Sequence, residues 1–177
     1  MLRLTSDALL RAYQAGERNF TQVDLTKAQL FQADLRYINL QSSGLAEAYL
    51  PYSTLAMANL QGADLDRAQA GDSNFYGANL AQASLVEANL SRSDLRVANL
   101  SGADLRGANL SGADLRQADL TAANLEGCSL TAAKLDGARL GQTNLSRCNL
   151  FRATGVALDG SRCDLTTILP NGHNYGL

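Results

Sequence analysis

Leucine recurs at every fifth position over most of this chain. Of the positions 20, 25, 30 and so on to 150, only Phe20, Ala70 and Phe75 are not leucine, and a small residue usually stands two places before each. On an α-helix, five residues turn the chain by about 500°, so successive leucines would form no stripe. On a strand, an odd spacing sends them to alternate faces. The period therefore predicts a coiling backbone whose leucines and small residues face one interior.

A second period of twenty residues indicates how many repeats make one coil. Asparagine recurs at this interval, at Asn19, Asn39, Asn59, Asn79 and Asn99. Charged residues of alternating sign, which stacked neighbours prefer, recur at the same interval at Lys27, Glu47, Arg67 and Glu87. This period favours four five-residue repeats per coil over other coil sizes.

Many repeats share one pattern, in which alanine, aspartate or asparagine, and leucine are followed by two variable residues. Examples are Ala63-Asp64-Leu65, Ala78-Asn79-Leu80 and Ala103-Asp104-Leu105-Arg106-Gly107. Over residues 18–153 the chain therefore resembles the pentapeptide-repeat family. The resemblance implies an all-β solenoid, a right-handed quadrilateral β-helix with a leucine at the centre of each side. At a ladder spacing of about 4.8 Å, it would contain about seven 20-residue coils and be roughly 35 Å long.

The N-terminal segment, residues 1–17, differs from the repeats. Thr5-Ser6-Asp7 suits the start of a helix, and Gly16 suits its end. These residues predict a short capping α-helix that covers the open end of the first coil. The alternative is a helix that binds a partner, and the cap is favoured.

The C-terminal part of the chain loses the repeat gradually. Residues 18–167 are assigned to the β-helix, although the phase weakens after residue 153 and recovers at Cys163-Asp164-Leu165-Thr166. Residues 168–177 contain a proline and an Asn-Gly pair, which predict a C-terminal cap or tail. Some members of the pentapeptide-repeat family, which this chain resembles, dimerise end to end through their C-terminal region. The residues that could form such a contact here are Phe151, Ile168 and Tyr175. A monomer is favoured over that dimer.

Composition restricts the class of protein. The chain has 177 residues, a formal charge of −2 and no apolar run near the roughly 18 residues of a membrane span. No apolar stretch of signal-peptide length stands at the start, which predicts a cytoplasmic protein unless a targeting leader has been removed. Three cysteines, Cys128, Cys148 and Cys163, stand in the small inward position of their repeats, which predicts free, buried thiols.

Residues that could support catalysis are scarce. The single histidine, His173, lies in the predicted C-terminal tail. No nucleophile–base set, zinc-ligand spacing or phosphate-binding loop can be assembled around it. The sequence therefore predicts no enzyme, no metal site and no cofactor.

The balance of charge bears on nucleic-acid partners. The pentapeptide-repeat family, which this chain resembles, includes proteins that protect DNA gyrase by imitating the acidic rod of B-DNA. Here 17 acidic residues nearly balance 15 basic ones, and segments such as Asp94-Leu95-Arg96 pair opposite charges locally. DNA mimicry remains an alternative, but this charge balance disfavours it. The sequence also indicates no basic face of the kind that binds nucleic acid directly.

Large apolar and aromatic residues gather at outward positions of the first three predicted coils. They are Phe31, Tyr37, Tyr49, Pro51, Tyr52, Met57 and Tyr76. Exposed patches rich in tyrosine and methionine mark partner sites in many proteins, so we expect this patch to bind another protein. The alternative is structural: the side chains would lie flat on neighbouring turns or be covered by the N-terminal helix.

Overall fold

The computed structural model describes residues 1–176, most of which form a repeat β-solenoid. Isolated parallel bridges run along it from Asn19↔Asn39 to Lys134↔Thr154, and each joins residues twenty apart. One coil therefore consumes twenty residues, or four five-residue repeats, as the second sequence period favours.

Each side of a coil ends in a tight turn with a left-handed residue. Val97, for example, has a φ of 61°, and the N–H of Ala98 closes the turn by donating to the carbonyl oxygen of Leu95 at 3.1 Å. These are the features of a type II β-turn. Positions 22, 27, 32 and so on to 152 all have φ between 54° and 71°. Most of them are not glycine, so the conformation itself costs about 1–2 kcal/mol at each.

The interior is filled by the residues that the five-residue period places there. The leucines at fifth positions from Leu25 to Leu150 are at most 4% exposed, and nearly all the small residues two places before them are buried. Some small positions hold a serine or threonine whose hydroxyl donates to a main-chain carbonyl. The Ser73 hydroxyl donates to Leu50 at 2.6 Å, and that of Thr143 donates to Leu120 at 2.7 Å. The core therefore contains polar residues without leaving them unpaired.

The N-terminal segment adds a strand and a helix to the first coil. Strand β1 (Leu2–Arg3) pairs in parallel with strand β2 (Val23–Asp24), an element that the sequence did not indicate. Helix α1 (Ser6–Gln14) follows, and the Thr5 side chain accepts a hydrogen bond from the Ala8 N–H at its start.

Helix α1 packs against the coil that follows it. Leu9 is fully buried in the hydrophobic core. The backbone N–H of Gln29 donates to the Ser6 hydroxyl at 2.8 Å, and the Tyr13 hydroxyl donates to the carbonyl oxygen of Arg36 at 2.9 Å. These contacts fix the helix on the first coil.

The last turns of the solenoid depart from the twenty-residue spacing. The bridges Asn144↔Arg162 and Asn149↔Ile168 span only eighteen and nineteen residues. The register therefore shifts, and the placement of Cys163 in the small inward position is wrong. Cys163 follows a bridge residue, as the central leucines do elsewhere, and it is only half-buried. Leu165, where the sequence phase recovers, is 67% exposed.

The C-terminal residues are hydrogen-bonded to the solenoid and to one another. The N–H groups of Leu150 and Arg152 donate to Ile168 and Pro170 at 2.8 and 2.9 Å. An antiparallel bridge then joins Ile168 to Asn174. The segment thus folds back across the last coil.

Two of the cysteines lie inside the solenoid. Cys128 and Cys148 are free and buried, as predicted, and their Sγ atoms lie 2.8 Å apart. Burial raises the pKa of the Cys128 thiol, so this sulfur is a small core residue and a poor nucleophile.

Truncation of a central leucine tests the assignment of the core. We expect Leu100→Ala to lower the free energy of unfolding by about 3 kcal/mol, because it opens a cavity among buried side chains. Leu165→Ala makes the same change at an exposed position and should alter it by less than about 0.5 kcal/mol. Urea denaturation measures both variants, and equal losses would contradict the placement of these two leucines.

A pair of alanine-to-glycine substitutions tests the left-handed turn positions. Ala122 has a φ of 57°, so we expect Ala122→Gly to raise the free energy of unfolding by about 0.5–1 kcal/mol through relief of that conformation. The neighbouring buried Ala123 serves as the control. Ala123→Gly should lower the free energy by about 1 kcal/mol, because the folded chain gains nothing and the unfolded chain becomes more flexible. Thermal melts would contradict the account if both variants lost stability.

Candidate protein-interaction surface

The seven residues of the predicted patch lie at two successive corners of the solenoid. Phe31, Pro51 and Tyr52 are in stacked turns, with Tyr49 on the side that leads into them. We call these four residues the first corner. At the next turns, the N–H of Tyr37 donates to Ala56, and that of Met57 donates to Tyr76. Tyr37, Met57 and Tyr76 are the second corner.

Three of the four residues of the first corner are aromatic, and Phe31 contacts the other two rings. The ring of Phe31 stacks on Tyr49, with centroids 6.1 Å apart, and meets Tyr52 edge-on at 5.9 Å. In the coil below, Gly71 follows Pro51 in the same column and places no side chain there. The three rings remain exposed to solvent.

The second corner packs partly on the coil beneath it. Met57 lies over Gly77, where an added Cβ would come within 2.5 Å of the Met57 sulfur. The guanidinium of Arg96 lies over the ring of Tyr76, 5.5 Å from its centroid. These contacts fix the direction of both side chains without burying them.

One side of the solenoid separates the two corners. Its outward bridge residues in the first three coils are Asp34, Thr54 and Asn74, all polar and small. Apart from the half-buried Pro51, the seven residues are between 40% and 67% exposed, so helix α1 does not cover them. The structure thus brings the predicted residues together as two exposed clusters that flank a polar strip.

Beyond the second corner lies a cleft that the sequence reasoning missed. It has a volume of about 360 Å³, and its lining residues are Tyr76, Arg96, Val97, Arg116, Gln117 and Asp136. The sequence signal was present, because Asp94-Leu95-Arg96 and Asp114-Leu115-Arg116 stand twenty residues apart. That spacing places the two motifs in adjacent coils.

Ion pairs organise the wall of this cleft. Arg96 forms an ion pair with Asp94, and Arg116 forms one with Asp114, with Nη2–Oδ2 distances of 2.7 and 2.6 Å. These hydrogen bonds hold the pKa of Asp94 and of Asp114 below the ordinary value of 3.8, although burial acts in the opposite direction. The wall therefore carries fixed charges of both signs at neutral pH.

No group of three or more histidine, cysteine, aspartate or glutamate side chains in residues 1–176 is arranged to hold a metal ion. The same part of the chain contains no helix with the length and apolar character needed to cross a bilayer.

Comparison with known proteins identifies the repeats. The family model described as pentapeptide repeats matches in eight copies, over residues 28–67, 43–80, 73–112 and 113–152. No curated protein matches the chain.

Several solved structures resemble the chain. One is HetL from the cyanobacterium Nostoc sp. strain PCC 7120, a pentapeptide repeat protein involved in heterocyst differentiation regulation. It is 29% identical to this chain, the alignment covers 97% of this chain and 100% of HetL, and the TM-score is 0.40. Another is the pentapeptide repeat protein Rfr23 from the cyanobacterium Cyanothece 51142, with 26% identity, coverages of 93% and 98%, and a TM-score of 0.48. Full-length QnrB1, a plasmid-mediated fluoroquinolone resistance protein, has 17% identity, coverages of 82% and 82%, and a TM-score of 0.41.

The ion pairs of the cleft predict a dependence of stability on pH. A carboxyl group whose pKa is lowered by folding stabilises the protein above its unfolded pKa and stops doing so as the pH falls through the folded pKa. We therefore expect the free energy of unfolding to decline below about pH 5. Urea denaturation between pH 2 and 6 should show a shallower decline for Arg96→Gln/Arg116→Gln. Parallel curves for the variant and the native chain would contradict the assigned pairs.

Proposed function

The chain belongs to the pentapeptide-repeat family, and we propose that it is a non-catalytic interaction module that binds another protein through the first and second corners. The observation that supports this proposal is the contact among Phe31, Tyr49 and Tyr52, whose rings pack together yet stay exposed. A partner that covered these rings would remove apolar area from water, worth about 25 cal/mol per Å². Tyrosine and methionine are also enriched in protein interfaces.

The proposed architecture is a right-handed quadrilateral β-helix of about seven coils. Residues 1–17 form the capping segment, residues 18–167 the β-helix and residues 168–177 the C-terminal cap. The burial of Leu9 in the core and the repeated twenty-residue bridges support this arrangement. A rod built in this way presents its corners without reorganising, which keeps the entropic cost of binding low.

The absence of catalysis is part of the proposal. Leucine and alanine fill the interior, and the buried thiol of Cys128 has a raised pKa. His173 is exposed in the C-terminal segment, while the cleft lies at Tyr76 and Arg96, in the middle coils. Free cysteines also suit a reducing compartment, so we propose that the protein resides in the cytoplasm. We also propose that it is a monomer.

Imitation of DNA is the alternative, and the local ion pairs weigh against it. Four Asp-Leu-Arg segments each join their own aspartate and arginine at 2.6–2.7 Å, and their aspartates are Asp34, Asp94, Asp104 and Asp114. A mimic of B-DNA needs a strong, extended negative field. Each of these pairs cancels most of the field of its own carboxylate.

Affinity capture from the native organism tests the proposed corners. We expect the triple variant Tyr49→Ser/Tyr52→Ser/Tyr76→Ser to capture at least tenfold less of a partner that the native chain retains, because it lacks three exposed rings. The control is Leu165→Ser/Tyr175→Ser, which removes exposed apolar side chains near the C-terminus and should retain the partner. A folded triple variant that keeps every partner would refute the proposal.

A further inference from the structure

The apolar surface of the second corner continues along the rod beside a row of arginines. Tyr37, Met57 and Val97 stand in one column, all exposed, and Met57 fills the space above Gly77. The preceding column contains Arg36, Tyr76, Arg96 and Arg116. We define the second-corner strip as Tyr37, Met57, Tyr76, Val97, Arg96 and Arg116.

The ion pairs in this strip direct their positive ends outward. The side chain of Arg96 is 43% exposed against 26% for Asp94, and that of Arg116 is 44% exposed against 20% for Asp114. Both arginines bind their aspartates through Nε and Nη2. Across residues 1–176, the Nη1 atom of neither arginine has a hydrogen-bond partner. Each pair thus holds a guanidinium in place and leaves donors on its outer edge.

The balance of charges around the strip favours a group with one negative charge over a polyanion. Acidic and basic groups balance here, with Asp94, Asp114 and Asp136 against Arg96, Arg116 and Lys134. A doubly charged phosphate or a nucleic acid would therefore meet no net attractive field. A single carboxylate can instead gain directed, charge-assisted hydrogen bonds from two fixed guanidinium groups.

We propose that the second-corner strip binds an extended acidic and apolar segment of a partner protein. The apolar side chains of the partner segment lie on Tyr37, Met57 and Val97. One carboxylate of the segment accepts hydrogen bonds from Nη1 of Arg96 and Nη1 of Arg116. The inference rests on the proposed function and deepens it by stating the chemistry of the partner. From the turn at Tyr37 to the turn at Arg116 the strip covers four ladder spacings, about 19 Å, which about six extended residues span.

Asp136 fixes the orientation of the segment. It lines the lower end of the cleft and would repel a carboxylate placed there. The acidic residue of the partner therefore lies above it, next to Val97, and the apolar residues extend toward Tyr37.

Selection from a phage-displayed library of random twelve-residue peptides, panned against the full chain, tests this inference. We expect the enriched peptides to carry aspartate or glutamate beside aromatic or aliphatic residues. Fluorescence anisotropy with the synthetic peptides should show that Arg96→Gln/Arg116→Gln weakens binding about tenfold. Arg106→Gln breaks the same Asp-Leu-Arg motif on another side and should change binding less than twofold.

The conservative variant separates directed hydrogen bonding from charge alone. Arg96→Lys/Arg116→Lys keeps both charges but loses the planar fork, so it should bind with intermediate affinity. Circular dichroism and thermal melts establish that each variant is folded.

The possible failures are distinguishable. Neutral or basic peptides that bind through Tyr49, Tyr52 and Tyr76, and are indifferent to both arginines, would overturn this inference and leave the proposed function standing. A selection without any enriched peptide would also overturn it, while the capture experiment would still decide the proposed function. If Arg106→Gln weakens binding as much as the double variant does, the assignment to this strip is wrong.

Discussion

The solenoid depends on one backbone hydrogen bond that is repeated at every corner from Gln22 to Ala132. At the left-handed residue of each of these turns, the N–H donates to a carbonyl oxygen of the next coil. Val97 shows most clearly that this bond constrains the backbone. A φ of 61° is unfavourable for a β-branched residue, yet Val97 adopts it and its N–H donates to the carbonyl oxygen of Arg116 at 3.0 Å. Gln117 repeats the bond to Asp136 at 3.0 Å. Such a conformation persists only where the surrounding ladder holds it, and that ladder turns the leucines inward.

The same corners determine what the surface can do. A left-handed residue points its side chain away from the core, so Tyr37, Tyr52 and Met57 stand exposed on a backbone that is fixed on both sides. Residues twenty apart form a column, and neighbouring columns can differ completely in chemistry. The proposed recognition of a partner would therefore depend on which column the partner follows.

Much of the fold could be predicted from the sequence because each period has a single geometric solution. The buried leucines and the stacking of Asn39 on Asn19 follow from the two periods. Strand β1 could not be predicted, because two residues carry no period. The shift near Cys163 was also hidden, since the sequence phase recovers at Leu165 while the shortened coil has already moved the register.

The candidate site was predictable in part for the same reason. Outward positions follow from the period, which identifies Phe31 and Tyr49, but their ring contact depends on side-chain rotamers that no spacing specifies. The cleft at Arg96 escaped notice because the sequence suggested only local charge cancellation. The exposed guanidinium edge becomes apparent once the relative depth of Asp94 is known.

Scalar couplings across hydrogen bonds, measured by NMR on the deuterated chain, test the central claim most directly. The account predicts correlations from the amide nitrogen of each corner residue between Gln22 and Ala132 to the carbonyl carbon nineteen residues later, as from Val97 to Arg116. Couplings that join these corner residues to carbonyls at another separation, or only residues within one turn, would contradict it.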